Sequence, residues 1–151
     1  MKKKTIAILG STGSIGQSSL DIIKKSKEFK VELLIANKNY FKIINQIKVF
    51  KPNIVIINNK KVFLKIKKKY QKKNLVILNN ILNVHKYIKK IDVTVSAIPG
   101  IAGLEPTILF TKLSKKILFS YGANQTLLMQ HASHKVPGVL FSTGSLGHGL
   151  P

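Results

Sequence analysis

The chain predicts an α/β fold: a doubly wound parallel sheet with an irregular C-terminal tail. Three observations lead there. Short β-rich apolar runs alternate with helical stretches as far as Phe119. That alternation belongs to parallel sheets covered on both faces. A glycine-rich turn joins the first run directly to the first helix. Beyond residue 119 the composition changes, so the reading divides the chain into a domain over 1–119 and a divergent Gly-rich tail over 120–151.

The elements follow in order. Thr5–Leu9 reads as the first strand, and a helical stretch runs from about Gln17 to Lys25 with Leu20, Ile22 and Ile23 on its apolar side. Val31–Ala36 is the second strand. Tyr40–Phe50 is helical because Ile43, Ile44 and Ile47 share one face. Pro52-Asn53 ends that helix, and Ile54–Ile57 is the third strand. A Lys-rich helix over Val62–Tyr70 precedes a fourth strand, Leu75–Leu78. A short helix over Val84–Lys89 leads to a fifth strand, Val93–Ala97; then come a helix over Leu104–Leu113 and a last strand, Ile117–Phe119.

Composition bounds the function. The 151 residues include no Cys, which removes disulfides, thiolate metal sites and cysteine nucleophiles. No apolar run approaches the roughly 20 residues that span a bilayer. Only five residues separate Lys4 from Gly10, too few for the apolar part of a signal peptide, so the expected location is the cytoplasm, with no membrane partner. The formal charge is +21, from 26 basic residues against 5 acids, and every basic residue is Lys. Lys, Asn and Ile share A/T-rich codons, and compositional drift explains their abundance. Weak, nonspecific polyanion binding at low salt follows from the charge. The alternative is a basic, nonenzymatic nucleic-acid-binding domain, although specific base readers favour Arg.

After Ile117 the chain has no Ile, one Lys (Lys135) and no acid, while three of the four His and five of the ten Gly fall there. A second-domain start, a frameshift, a gene fusion or an artificial junction would each produce such a break.

The richest motif is Gly10-Ser-Thr-Gly13-Ser-Ile-Gly16 at the first strand-to-helix turn. Gly10 allows a tight turn, Gly13 lets backbone amides approach a diphosphate, and Gly16 permits close helix–strand packing. The helix N-terminus supplies unpaired donors and a positive dipole end. Ser11, Thr12 and Ser14 add hydroxyls. The alternative is a serine-rich cap at a helix start. The turn is not a P-loop, because Gly16 is followed by Gln17 rather than Lys. The second strand ends in Ala36-Asn37-Lys38-Asn39, where NAD sites usually place an acid for the ribose 2′-hydroxyl. A cation between two amides suits a 2′-phosphate, so NADP is favoured over NAD. A second glycine loop, Pro99-Gly100-Ile101-Ala102-Gly103, follows the fifth strand, where it would flank a nicotinamide. A short-chain reductase is disfavoured: the residues four after Tyr40, Tyr70, Tyr87 and Tyr121 are Ile44, Asn74, Ile91 and Gln125, never Lys.

Together, Leu9–Gly16, Ala36–Asn39 and Ala97-Ile-Pro-Gly-Ile-Ala-Gly-Leu-Glu-Pro-Thr107 resemble the N-terminal, Rossmann-like NADPH-binding domain of 1-deoxy-D-xylulose 5-phosphate reductoisomerases. The resemblance covers about residues 4–119. It implies an oxidoreductase of non-mevalonate isoprene biosynthesis, homodimeric, which rearranges and reduces its sugar phosphate with NADPH and a divalent metal (Mg or Mn). By motif, NADPH contacts fall on Thr12, Gly13, Ser14 and Ile15 and on Asn37, Lys38 and Asn39.

The chain then departs from that family. Where the family continues Ala-Asn-Lys-Glu-Ser, this sequence reads Ser120-Tyr121-Gly122-Ala123-Asn124-Gln125-Thr126. The family's Asp-Ser-Glu metal motif has no counterpart, and no acid follows Glu105. The expectation is therefore a fragment: a cofactor-binding half, inactive alone, with no catalytic residue or metal ligand of its own. It would meet 1-deoxy-D-xylulose 5-phosphate only if the other half were supplied. In the tail, Lys135–Val139 and Ser142–Leu150 resemble the thiamine-diphosphate region of transketolase-like N-terminal segments. His131, His134 and His148 would be its site residues, but no thiamine activity is expected from so short a piece. His85, amid Lys86, Lys89 and Lys90, reads as a surface residue.

Overall fold

The computed structural model describes residues 2–120 and 139–142. Its elements are β1 (Lys4–Leu9), α1 (Ser14–Lys25), β2 (Phe29–Ala36), α2 (Tyr40–Phe50), β3 (Ile54–Ile57), α3 (Lys60–Lys69), β4 (Val76–Leu78), β5 (Ile91–Ser96), α4 (Leu104–Leu113), β6 (Ser114–Ser120) and β7 (Val139–Ser142). The strands form one sheet in the order β4-β3-β2-β1-β5-β6-β7, and every pair is parallel. This is the doubly wound arrangement the alternation predicts. The chain winds outward from β1 to β4, then crosses back to β5 and winds the other way. The switch point lies between β1 and β5.

Side chains alternate across the sheet and bury on both faces. Ala7 and Leu9 of β1, Leu33 and Ile35 of β2, and Ile54 and Ile56 of β3 join Phe110 of α4 and Val84 in one cluster. Ile6, Ile8 and Leu34 meet Leu20 and Ile23 of α1, while Val55 and Ile57 meet Ile43, Ile44 and Ile47 of α2 and Ile66 of α3. Helices α1–α3 therefore cover one face and α4 the other, as right-handed crossovers in two opposite directions require.

Local chemistry sets the helix ends. The Asn39 side chain accepts from the Lys42 amide (3.2 Å) to start α2, and Asn59 accepts from Val62 (3.1 Å) to start α3. Lys51, at φ 48°, turns the chain out of α2 into Pro52, which cannot continue a helix.

Two stretches differ from the expectation. The helix over Val84–Lys89 is a single 3-10 turn, Val84–Lys86. Ile81, Val84 and Ile88 all bury into the core, so the backbone folds over a short apolar patch instead of presenting one helical face. In the tail, Val139–Ser142 forms β7, a strand beside β6 within the stretch read as irregular. A Val-Leu-Phe run has high β propensity, and β6 offers an open edge. The expectations for His131, His134 and His148, and for the rest of the thiamine-like segment, lie outside the described residues.

At the amino edge, Asp92 of β5 clamps β1. It accepts from the Thr5 amide (2.8 Å) and hydroxyl (3.2 Å), while its own amide donates to Thr5 Oγ1 (3.0 Å). The Lys115 ammonium lies 2.8 Å from its carboxylate. Lys115, then the Thr5 amide, hold the Asp92 carboxyl down from an ordinary 3.8 to about 2. Because the folded value is the lower one, the clamp is fully stabilising above pH 3.8 and is lost as pH falls through about 2. Asp92→Asn is therefore expected to cost about 1–2 kcal/mol at neutral pH, typical of a charged hydrogen bond. Denaturant unfolding of both proteins should show that gap closing toward pH 2; a pH-independent gap would contradict the clamp.

Candidate dinucleotide site

The site is built where β1 ends. Gly10 takes φ 81°, a left-handed conformation that L side chains rarely adopt. It turns so tightly that a Cβ there would sit 2.9 Å from the Ala97 carbonyl oxygen at the end of β5. The first glycine turn and the loop after β5 thus touch through backbone, directly over the switch point. The Gly10 and Ser11 amides both donate to the Ile35 carbonyl at the end of β2, each at 2.9 Å. Gly16 carries the tightest constraint. A Cβ on it would overlap the Gly10 carbonyl oxygen and come within 2.7 Å of Ser11 Cα. Only glycine lets α1 start this close to the turn.

Helix α1 begins without a side-chain cap at Gly13 and has no acid in its first turn. Its positive end is therefore neither capped nor neutralised by its own sequence. Gln17 supports the turn: its Nε2 donates to the Thr12 carbonyl (2.8 Å) and the Gly13 carbonyl (3.2 Å). In a planar trans peptide C=O and N–H point oppositely, so drawing the Gly13 carbonyl toward the helix turns the Ser14 amide away from it, while the Gly13 amide donates back to the Gly10 carbonyl (3.3 Å). Gly13 and Ser14 are exposed, and Thr12 and Ile15 are half-buried. The turn thus presents backbone donors and the hydroxyls of Thr12 and Ser14, a surface suited to an anion, whereas Ser11, also expected to offer a hydroxyl, is fully buried.

Asn37, Lys38 and Asn39 lie at the end of the adjacent strand, β2, and all three are exposed. The Asn37 carbonyl accepts from the Asn59 amide (3.3 Å), and the Lys38 carbonyl accepts from the Tyr40 amide (2.9 Å). Asn39 has a second duty as the cap of α2. The structure therefore brings both halves of the predicted set, residues 12–15 and 37–39, to the carboxyl edge of two neighbouring strands. The loop after β5 is on the same edge. There Ile101 is 89% exposed, and Ser96 at the end of β5 pairs with Thr107 of α4 through their hydroxyls at 2.6 Å. Two residues of the turn's supporting shell, Gln17 and Gln46, were not among the sequence candidates. A Gln half-buried near the start of one helix and a Gln inside an isoleucine stripe on another both look like ordinary helix residues.

A cavity of about 490 Å³ lies elsewhere, at the amino edge, among Lys48, Lys51, Lys69, Lys73 and Tyr70. It sits where α2 and α3 end, so two negative dipole ends converge there and their lysines offset them. That explains the basic lining without a ligand.

Among the described residues no three His, Asp or Glu side chains gather. Of the five acids, Asp92 is committed to the β1–β5 clamp and Glu32 pairs with Lys30 (3.8 Å).

A glycine turn at the switch point of an all-parallel, doubly wound sheet defines a Rossmann-like domain. The 1-deoxy-D-xylulose 5-phosphate reductoisomerase family profile matches residues 6–129, and the chain belongs to that family. The reductoisomerase of Francisella tularensis (strain SCHU S4 / Schu 4) is 35% identical over 119 residues, covering 79% of this chain and 31% of that protein. The Pelagibacter ubique enzyme is 44% identical over 118 residues, covering 76% of this chain and 30% of its own length. The chain thus spans about a third of the length of the curated relatives it matches. Among solved structures, the Zymomonas mobilis reductoisomerase in complex with NADPH superposes with a TM-score of 0.77 at 24% identity, covering 93% of this chain and 39% of that one. A reductoisomerase in complex with magnesium gives 0.79 at 23% identity, covering 93% and 37%.

The two inner glycines should behave differently. Gly16→Ala forces backbone apart and is expected to destabilise by about 1–3 kcal/mol or more. Gly13→Ala places its Cβ 3.6 Å from the Gly10 carbonyl oxygen, an ordinary contact, and is expected to cost no more than about 0.5–1 kcal/mol, the preference for Gly over Ala at a helix start. Thermal unfolding of the two variants checks this; equal losses would contradict the packing described.

Proposed function

We propose that this chain is an NADPH-binding domain of a 1-deoxy-D-xylulose 5-phosphate reductoisomerase, acting in isoprene biosynthesis in the cytoplasm. The observation that carries the reading is the pairing of an uncapped, amide-lined turn after β1 with an acid-free Asn37-Lys38-Asn39 end of β2. The turn of Thr12, Gly13, Ser14 and Ile15 would receive the diphosphate, on the amides of Thr12, Ser14 and Ile15 and the hydroxyls of Thr12 and Ser14, with Gly13 leaving room for its approach. Lys38, flanked by Asn37 and Asn39, would receive the 2′-phosphate. The Zymomonas mobilis relative, a complex with NADPH, supports this choice. When bound, NADPH supplies a hydride; this chain's residues bind and orient it.

Turnover is a different matter. The sugar phosphate, the divalent metal and the homodimer belong to the whole enzyme of the family, and this chain matches about a third of it. No Asp or Glu follows Glu105, so the later sequence offers a hard divalent cation no side-chain carboxylate. The chain alone is expected to bind NADPH and to reduce no 1-deoxy-D-xylulose 5-phosphate with magnesium or manganese. The Lys-rich surface adds polyanion binding that collapses as salt rises, through counterion release.

Fluorescence titration tests the cofactor assignment. Saturable NADPH binding tighter than NADH is expected. Lys38→Ala should weaken NADPH about tenfold, the loss of one charge-assisted contact, and leave NADH nearly unchanged. Equal affinity of the unsubstituted chain for both cofactors would overturn the 2′-phosphate assignment.

A further inference from the structure

We propose that Gln46 is a positioning residue that holds the turn's backbone donors toward the diphosphate and keeps them in register with the 2′-phosphate end. The proposal rests on the dinucleotide reading above and assigns a role to a residue outside the predicted contacts.

Gln46 lies on α2 and is 6% exposed, beside Ile43, Ile44 and Ile47 in the stripe that faces the sheet. Its Nε2 crosses to the first glycine turn and donates to the Ser11 carbonyl at 2.8 Å. The Ser11 amide is anchored as well, on the Ile35 carbonyl. Ser11 O and the Thr12 amide share one planar trans peptide and point in opposite directions. Pulling the Ser11 carbonyl inward to Gln46 therefore turns the Thr12 amide outward. The same helix begins at Tyr40, directly after Lys38 and Asn39. One rigid element thus carries the 2′-phosphate residues at its start and the latch to the diphosphate turn within its body.

Stability does not account for this residue. Gln46 Oε1 and Ser11 Oγ are each buried with no hydrogen-bond partner among the described residues. One hydrogen bond gains less than a buried unpaired acceptor costs, and an apolar side chain would fill an isoleucine-lined position without that penalty. A half-satisfied amide in this place is better explained by what it does to the turn than by what it adds to the core.

The experiment compares the full chain with Gln46→Leu, and with Gln46→Met in case leucine does not fit. Two ligands are titrated: NADPH, which spans both ends of the site, and 2′-AMP, which fills only the adenosine end. The expected result is a loss of NADPH affinity of about tenfold, while 2′-AMP changes less than about twofold and the melting temperature holds or rises. Parallel losses for both ligands, or no loss for either in a folded variant, overturn the proposal. Failure of both variants to fold also overturns it, because Gln46 would then be a structural residue. If the unsubstituted chain binds neither ligand, the dinucleotide reading falls first and takes this inference with it.

Discussion

The contact between Gly16 and the Gly10 carbonyl is the constraint on which the site depends. It allows α1 to start against the end of β1, with no side chain between helix and turn. From that closeness follow the bonds of Gly10 and Ser11 to β2, the contact of Gly10 with Ala97 after β5, and the reach of Gln17 back to the turn. A wider turn would lose all of these together. The helix would still form, but its amino end would no longer stand over the switch point where doubly wound sheets bind ligands.

Much of this is legible from residues alone, for identifiable reasons. Strands buried on both faces read as apolar runs, and Asn39, Pro52 and Gly10 mark boundaries that survive packing. The glycine spacing, placed between the first strand and the first helix, points to the chemistry of the turn. The 3-10 turn at Val84–Lys86 is harder to read. Three apolar residues at Ile81, Val84 and Ile88 fit a helix on paper, but the segment only closes over the core. The strand Val139–Ser142 is hidden by its glycine-rich surroundings. Gln46 leaves one faint signal: a polar residue three positions after Ile43 and next to Ile47, inside the helix's apolar stripe. Its partner is 35 residues away, which no periodicity reveals.

The lysines have a partly local explanation. Each of α1, α2, α3 and α4 carries lysine in its last turn, opposite the negative end of the helix dipole. Drift toward lysine is tolerated at those ends, and Lys48, Lys51, Lys69 and Lys73 together create the basic cavity at the amino edge. Part of the charge that first suggests nucleic acid thus sits at helix ends, on Lys24, Lys25, Lys48, Lys67, Lys68, Lys69 and Lys112. Lys38 stands at the carboxyl edge, directly after β2, with no acid on that end of the strand.

The central claim is that a pyrophosphate lies on the amides after β1 and a ribose phosphate beside Lys38. Amide chemical-shift mapping of the full chain titrated with NADPH reads this most directly. Saturable shifts are expected at Thr12–Gly16 and Asn37–Asn39, with the opposite edge quiet. Shifts centred on Lys48, Lys51, Lys69 and Lys73, or none that saturate at the turn, would contradict it.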